Sequence, residues 1–126
     1  MDKESNYIRT SVSQEAEFQG GRFNPKTVFE NERVKVILAY FKAGQFIPVH
    51  TPNIDLVLCV IEGQGEMAAD QDRFPLKPGD LVVVPKGVPR GVRAGSDMVI
   101  LHTVTPPPAA EDHAQVRAKL QQGRFD

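Results

Sequence analysis

The chain has 126 residues, of which 40% are hydrophobic, and a net charge of −1; this suits one domain with a sizeable core. The charges are dispersed, so neither nucleic acid nor an anionic membrane surface is an expected partner. No apolar run approaches the ~20 residues of a membrane span. The N-terminal residues lack the apolar core of a signal peptide, which favours a cytoplasmic protein. The single cysteine, Cys59, excludes an internal disulfide.

Residues 1–22 are polar and are interpreted as an N-terminal arm that is loosely ordered unless it pairs with another subunit. Beyond the arm, short runs of β-branched, aromatic and other apolar residues alternate with turns. Pro48 suits an edge strand or a bulge, and Pro78-Gly79 fits the centre of a type II turn. The pattern predicts strands at 27–30, 33–42, 45–49, 54–61, 66–69, 73–76, 81–84, 88–93 and 97–104.

Three consecutive prolines at 106–108 end the strand region, and residues 109–122 have the pattern of a helix. Acidic residues in its first turn and Gly123 after its last turn fit such a helix. We expect this helix to lie on the outside of an all-β sandwich or barrel. The predicted organisation is an arm at 1–22, a barrel at 23–105, and a proline segment with a helix at 106–126.

The run 54–61 is apolar on both faces except at Asp55, and 81–84 is similarly apolar. Simple alternation would leave one face in water, so the outer faces of these strands need cover. A second copy of the chain is the expected cover, with the arm available to cross over. The sequence therefore predicts a two-fold homodimer.

The middle of the chain resembles the cupin family. The first motif begins at Gly44, places His50 after five intervening residues, and ends with a strand and glycines at Gly63 and Gly65. The second motif is PGDLVVVPKGVP at residues 78–89. Each glycine lies where the chain must turn and each proline where a strand begins or ends. The resemblance implies a cupin-type jelly-roll β-barrel.

Cupins that bind a metal usually use three histidines and a carboxylate, and the resemblance locates these positions in this chain. His50 falls on the first histidine, Pro52 on the second, Leu56 on the acid, and Arg90 on the last histidine. Proline and leucine have no donor atom, and arginine stays protonated, so three of the four positions cannot donate to a metal. Asp55 is one residue early and on a regular strand faces the opposite side from Leu56. No cofactor is therefore expected.

Arg90 and His50 are the leading candidate site residues. An arginine that replaces an inward histidine needs a partner, either a protein acid or the carboxylate or phosphate of a ligand. His50 is a possible general base or a pocket residue that only forms hydrogen bonds. His102 faces either the interior or the outside, because apolar residues occupy both parities of its strand. Further residues expected around the ligand are Tyr40, Phe46 and Leu56.

Three functions follow from these residues. The first is a domain that binds a small, acidic ligand in the barrel without a metal, with Arg90 as the anion contact. The second is an enzyme, either a metal-free isomerase or lyase with His50 as the base, or an oxygenase. The oxygenase would hold a divalent transition metal with His50, His102 and Asp55. The third is a dimerisation or regulatory module whose cavity is filled by its own side chains.

Overall fold

The computed structural model describes residues 6–126 and contains two antiparallel β-sheets that enclose one hydrophobic core. Two helices accompany them, α1 (Val12–Glu15) and α2 (Ala110–Gln121). The strands are β1 (Asn24–Glu30), β2 (Lys35–Phe41), β3 (Phe46–His50), β4 (Asp55–Glu62), β5 (Gly65–Ala69), β6 (Asp72–Leu76), β7 (Leu81–Val84), β8 (Arg90–Ala94) and β9 (Met98–Thr105).

The strand order identifies a jelly-roll fold. One sheet has the order β1-β2-β9-β4-β7, and the other has the order β3-β8-β5-β6. The predicted all-β class, with a terminal helix, is confirmed. Pro48 lies in β3, at the edge of the second sheet, as its missing N–H requires. Gly79 has φ +90°, so the predicted turn after Pro78 has the backbone that glycine adopts without strain.

Alternation along the strands fills the core between the sheets. In β4, Leu56, Leu58 and Val60 are buried, whereas Val57 between them is 42% exposed. Each fully buried aliphatic side chain of this kind contributes roughly 1.5–3 kcal/mol. The second sheet contributes Met67 and Val92 to the same cluster. These side chains therefore pack the two sheets against each other, whereas the outer face of β4 is not part of this core.

The N-terminal arm packs on its own barrel, in contrast to the expectation that it is loosely ordered without a second subunit. The Tyr40 hydroxyl donates to the Val12 carbonyl at 2.6 Å, and Phe18 meets the Tyr40 ring edge to face at 5.4 Å. Leu38 and Val99 are buried in the same outer cluster. The arm thus covers the outer face of β2 and β9, which explains why both parities of these strands are apolar. Residues 1–5 of the predicted arm lie outside the described part.

Helix α2 docks on the outside of the barrel, as the sequence predicts, and it does so beside β3. The Lys119 ammonium donates to the Val49 carbonyl at 2.5 Å, and Gln115 accepts from the Thr51 amide at 3.0 Å. Leu120 packs against the main core. Beyond the helix, the Phe125 carbonyl accepts from the Val49 amide at 2.6 Å. The C-terminal segment therefore holds β3 and the loop that follows it.

No helix within residues 6–126 combines the length and the apolar character needed to cross a membrane.

The outer face of β4 and β7 stays exposed in the single chain. Leu81 is 66% exposed and Val83 is 61% exposed. Together with Val57 they form an apolar patch at the edge of the first sheet, and residues 6–22 of the arm do not cover it.

Candidate functional site

The barrel interior keeps a cavity of about 90 Å³ between β3, β8, β4 and β9. Its polar lining residues are His50, Arg90 and His102, and its apolar wall consists of Ile47, Ile54, Leu56, Val92 and Val104. A larger depression, between residues 6–10 and β1–β2, is open to solvent and brings no described histidine or carboxylate to its wall. The three nitrogen-bearing side chains make the interior cavity the candidate site.

A bulge in β3 determines the direction of His50. Ile47 pairs with Val92, and His50 pairs with Arg90, so β3 has one residue more than β8 over this interval. Regular alternation would place residues 47 and 50 on opposite faces. The extra residue places both in the cavity.

Gly91 allows the bulged segment to approach β8. A Cβ at this position would lie 2.9 Å from both the amide nitrogen and a methyl carbon of Val49. Real side chains do not tolerate such contacts, so any larger residue would displace β3. Gly91 therefore supports the position of His50 without itself carrying a functional group.

His50 is a neutral imidazole with a defined tautomer. Its Nδ1 lies 2.8 Å from the Pro48 carbonyl oxygen, and a carbonyl only accepts, so Nδ1 carries the proton. Burial lowers the pKa of His50, and the positive charge of Arg90 acts in the same direction. The remaining ring nitrogen, Nε2, is then a lone-pair acceptor at neutral pH.

Arg90 is a buried cation held by backbone oxygens. The residue is 3% exposed. Its Nε donates to the Val88 carbonyl at 3.0 Å, and Nη2 donates to those of Pro85 at 2.9 Å, Ile54 at 3.2 Å and Val84 at 3.4 Å. Nη1 is buried without a hydrogen-bond partner among residues 6–126.

The Arg90 guanidinium also lacks a close counter-ion. None of the ion pairs in the described part of the chain, counted to 4.0 Å, includes Arg90. Burial lowers the pKa of Arg90, and the carboxylates of Asp55 and Asp112 oppose this effect from a distance. The side chain thus combines a fixed orientation with an uncompensated charge.

His102 faces the interior, which settles the direction that the sequence left open. It pairs with Ile37 on β2 and with Leu58 on β4, and its side chain lines the cavity. Its Nε2 is buried and has no partner among residues 6–126. Burial, followed by the proximity of His50 and Arg90, lowers the pKa of His102 to about 4.

The structure does not bring every expected residue to this cavity. Leu56 lines it, but Tyr40 lies outside the barrel, where its hydroxyl binds the arm. Phe46 also points outward; its ring meets Phe125 edge to face at 5.8 Å, beneath the guanidinium of Arg93. The expectation that Tyr40 and Phe46 line the cavity was wrong, because each lies one residue out of phase with the inward face of its strand.

Asp55 does not join the two histidines. Its carboxylate is exposed and accepts from the Lys86 amide at 2.8 Å. The pairing of Asp55 and Leu56 with β9 is regular, so no bulge turns the carboxylate inward. Within residues 6–126, no group of three or more His, Cys, Asp or Glu side chains is arranged to hold a metal ion. A set of His50, His102 and Asp55 is therefore not assembled.

Sequence reasoning missed part of the cavity wall. Ile47, Ile54 and Val104 line the cavity but were not singled out. Ile47 was detectable only with knowledge of the β3 bulge. The backbone oxygens around Arg90 carry no sequence signal, since every residue type provides a carbonyl.

Comparisons with known proteins agree with this geometry. Residues 38–104 match the family model described as "Cupin domain". An RmlC-like cupin from Desulfovibrio desulfuricans is 36% identical, with a TM-score of 0.67 over 85% of this chain and 99% of that chain. An RmlC-like cupin from Shewanella frigidimarina is 25% identical, with a TM-score of 0.72 over 86% of this chain and 96% of that chain.

A protein of Aquifex aeolicus described as uncharacterized is 27% identical over 78 residues. The match covers 62% of this chain and 64% of that protein, which is less than two thirds of its length. The family model, in contrast, spans both cupin motifs and more than half of the chain. The chain belongs to the cupin family.

Proposed function

We propose that the cavity binds a small acidic ligand without a metal ion, with Arg90 as the principal anion contact. The observation that carries this proposal is the state of Arg90: 3% exposed, with Nη1 unpartnered and no acid within ion-pair distance among residues 6–126. Burying a charge without a partner costs several kcal/mol. A carboxylate in the cavity would offset much of that cost through a charge-assisted hydrogen bond.

The cavity itself supports binding over a purely structural role. A barrel filled by its own side chains is expected of a dimerisation module, whereas this interior retains about 90 Å³ beside three nitrogen-bearing side chains. Apolar cavities with a few convergent polar groups are typical of ligand sites, and the volume of this one restricts the ligand to a small molecule. A metal cation in the same cavity would be repelled by the positive charge of Arg90, whereas an anion would be attracted to it.

A ligand screen tests the proposal. Small carboxylic acids are titrated into the purified protein by calorimetry, and the unfolding free energy is measured with each acid. At a concentration of 100 times Kd, a binding acid stabilises the fold by about 2.7 kcal/mol. Arg90→Met is expected to abolish this stabilisation. Arg93→Met removes an exposed arginine of the same strand and should retain it.

Arg90→Lys separates charge from geometry. Lysine keeps the positive charge but cannot reproduce the planar fork that the carbonyls of Pro85 and Val88 hold. We expect weakened binding by at least about tenfold. The proposal is overturned if no acid stabilises the protein, or if Arg90→Met binds acids as well as the unaltered chain does.

Proton transfer by His50 is a second candidate function. Its Nδ1–H is committed to Pro48, and burial lowers the pKa of the ring, so Nε2 is available as a neutral base. If His50 removes a proton from the carbon beside the carboxylate, that carbon exchanges hydrogen for deuterium in D₂O. NMR would detect this exchange, and His50→Gln should stop it. Bound acids that never exchange would eliminate catalysis and leave binding intact.

A further inference from the structure

We infer that the cavity selects a short 2-hydroxy monocarboxylic acid, whose carboxylate meets Arg90 and whose hydroxyl donates to His50. This inference rests on the proposed function and narrows it to one class of ligand. Three features of the cavity carry it: the charge it can neutralise, the space it encloses, and the direction of the hydrogen bond that His50 can form.

The charge of the cavity limits the ligand to one carboxylate. Arg90 supplies a single guanidinium, and its Nε and Nη2 are already committed to backbone oxygens. Its Nη1 has no partner among residues 6–126 but is buried, so a carboxylate in the cavity contacts it only after a shift of the surrounding side chains. His50 and His102 are held neutral by burial, so neither adds a positive charge at pH 7. A second carboxylate would be buried in an apolar space that contains no second cation, so nothing would offset the free energy lost with its hydration.

The volume of the cavity limits the chain length. A volume of about 90 Å³ is well below the roughly 300–1,000 Å³ of pockets for drug-sized ligands, which favours an acid of a few carbons. The wall beside the polar groups consists of Ile54, Leu56 and Val104, so the carbon chain of such an acid has apolar contacts. A longer chain would extend past the half-buried Ile47 and His50 toward solvent and would gain little further apolar contact.

The tautomer of His50 selects the second polar group of the ligand. Because Nδ1 donates to the Pro48 carbonyl, Nε2 can only accept while the ring is neutral. A hydroxyl beside the carboxylate can donate to that nitrogen. A keto oxygen at the same position is an acceptor, and two facing lone pairs form no hydrogen bond. An unpaired buried acceptor costs about 1–3 kcal/mol, so hydroxy acids are favoured over keto acids.

Calorimetric titration at pH 7.5 with lactate, pyruvate and malate tests the inference. Lactate and pyruvate have the same number of non-hydrogen atoms and differ in the donor, whereas malate adds a second carboxylate. We expect one enantiomer of lactate to bind about tenfold more tightly than pyruvate. We expect malate to bind at least about tenfold more weakly than lactate. Hexanoate, which lacks the hydroxyl and exceeds the cavity, should bind at least about tenfold more weakly than lactate.

Two variants test the role of His50. His50→Leu should reduce the ratio of lactate to pyruvate affinity to about one, since neither acid then finds an acceptor or a repulsive lone pair. His113→Leu removes an exposed histidine of α2 and should keep the ratio. If His50→Leu does not fold, the affinities of the three acids for the unaltered chain still test the preference for a hydroxy acid.

The outcomes separate this inference from the proposed function. Pyruvate or malate binding as tightly as lactate, or a preference for lactate that survives in His50→Leu, overturns the hydroxy-acid inference while acid binding stands. If none of the acids binds, both are overturned.

Discussion

The buried, unpartnered imidazole of His102 should make the protein sensitive to mild acid. Its pKa falls from 6.5 in an unfolded chain to about 4 in the fold, with burial as the largest cause. The unfolded chain therefore binds the proton more tightly, and stability is lost as the pH falls through 6.5 toward 4. The groups that face His102 are the neutral His50, the cation Arg90, and the apolar Ile37 and Leu58 of the flanking strands.

The size of this effect follows from the two pKa values. Complete protonation of both states would cost about 3 kcal/mol, because each pKa unit corresponds to about 1.4 kcal/mol. At pH 5.0, where the unfolded imidazole is almost fully protonated and the folded one is not, the loss relative to pH 7.5 is about 2 kcal/mol. His50 adds to the loss in the same direction, because its pKa is also lowered.

Urea denaturation at pH 7.5 and pH 5.0 measures this loss, and His102→Leu isolates its source. The variant replaces an unpartnered buried nitrogen by an apolar group, so we expect it to be more stable than the unaltered chain by about 1–3 kcal/mol at pH 7.5. Its own loss on acidification should be smaller by about 2 kcal/mol. His113→Leu should keep the full loss. If His102→Leu and the unaltered chain lose the same free energy, His102 is not held neutral by burial, and the reasoning fails.

Three further predictions concern the support of the site, the exposed patch and metal. Gly91→Ala should lower the unfolding free energy in urea by about 1–3 kcal/mol and weaken acid binding, because the new Cβ contacts Val49. Gly20→Ala, where a Cβ has no neighbour within 4 Å, is the control, and equal effects of the two variants would contradict this explanation. The chain should be a homodimer in light scattering, with Leu81→Asp shifting it toward monomer through the exposed patch; an unaltered chain that is monomeric at micromolar concentration would refute this. Untagged protein loaded with iron, manganese, nickel or zinc should hold no stoichiometric metal in elemental analysis; a full equivalent that disappears in His102→Ala would contradict a metal-free cavity.

The order of the strands along the chain could be predicted well because turns have strong chemical signals. Glycine and proline positions placed every strand to within a few residues, and β7 at Leu81–Val84 matched its predicted range. The sequence could not predict which part of the protein covers the outer faces of the strands. The pattern of apolar residues is the same whether the arm or another subunit packs against them. The arm covers β2 and β9, whereas Leu81 and Val83 stay exposed in the single chain.

The candidate site was harder to predict than the fold because it depends on which way each side chain points. Motif position predicted that His50 and Arg90 face the interior, and both side chains line the cavity. For Tyr40 and His102, however, the neighbouring residues are apolar in both directions, so alternation gave no preference between the faces. The sheet then placed His102 inside and Tyr40 outside. Such choices are made by pairing with neighbouring strands, which periodicity within one strand does not contain.

The environment of Arg90 is what supports the proposed anion site. At the position of the last family histidine, a hydrophobic residue would have filled the cavity and stabilised the fold. The chain instead keeps a guanidinium there and uses four backbone carbonyls to hold it. These oxygens fix the orientation of the fork but do not cancel its charge. A buried cation whose charge is not neutralised destabilises a core. The same cation, held in a fixed orientation, is well suited to contact an anion, as the proposed function requires.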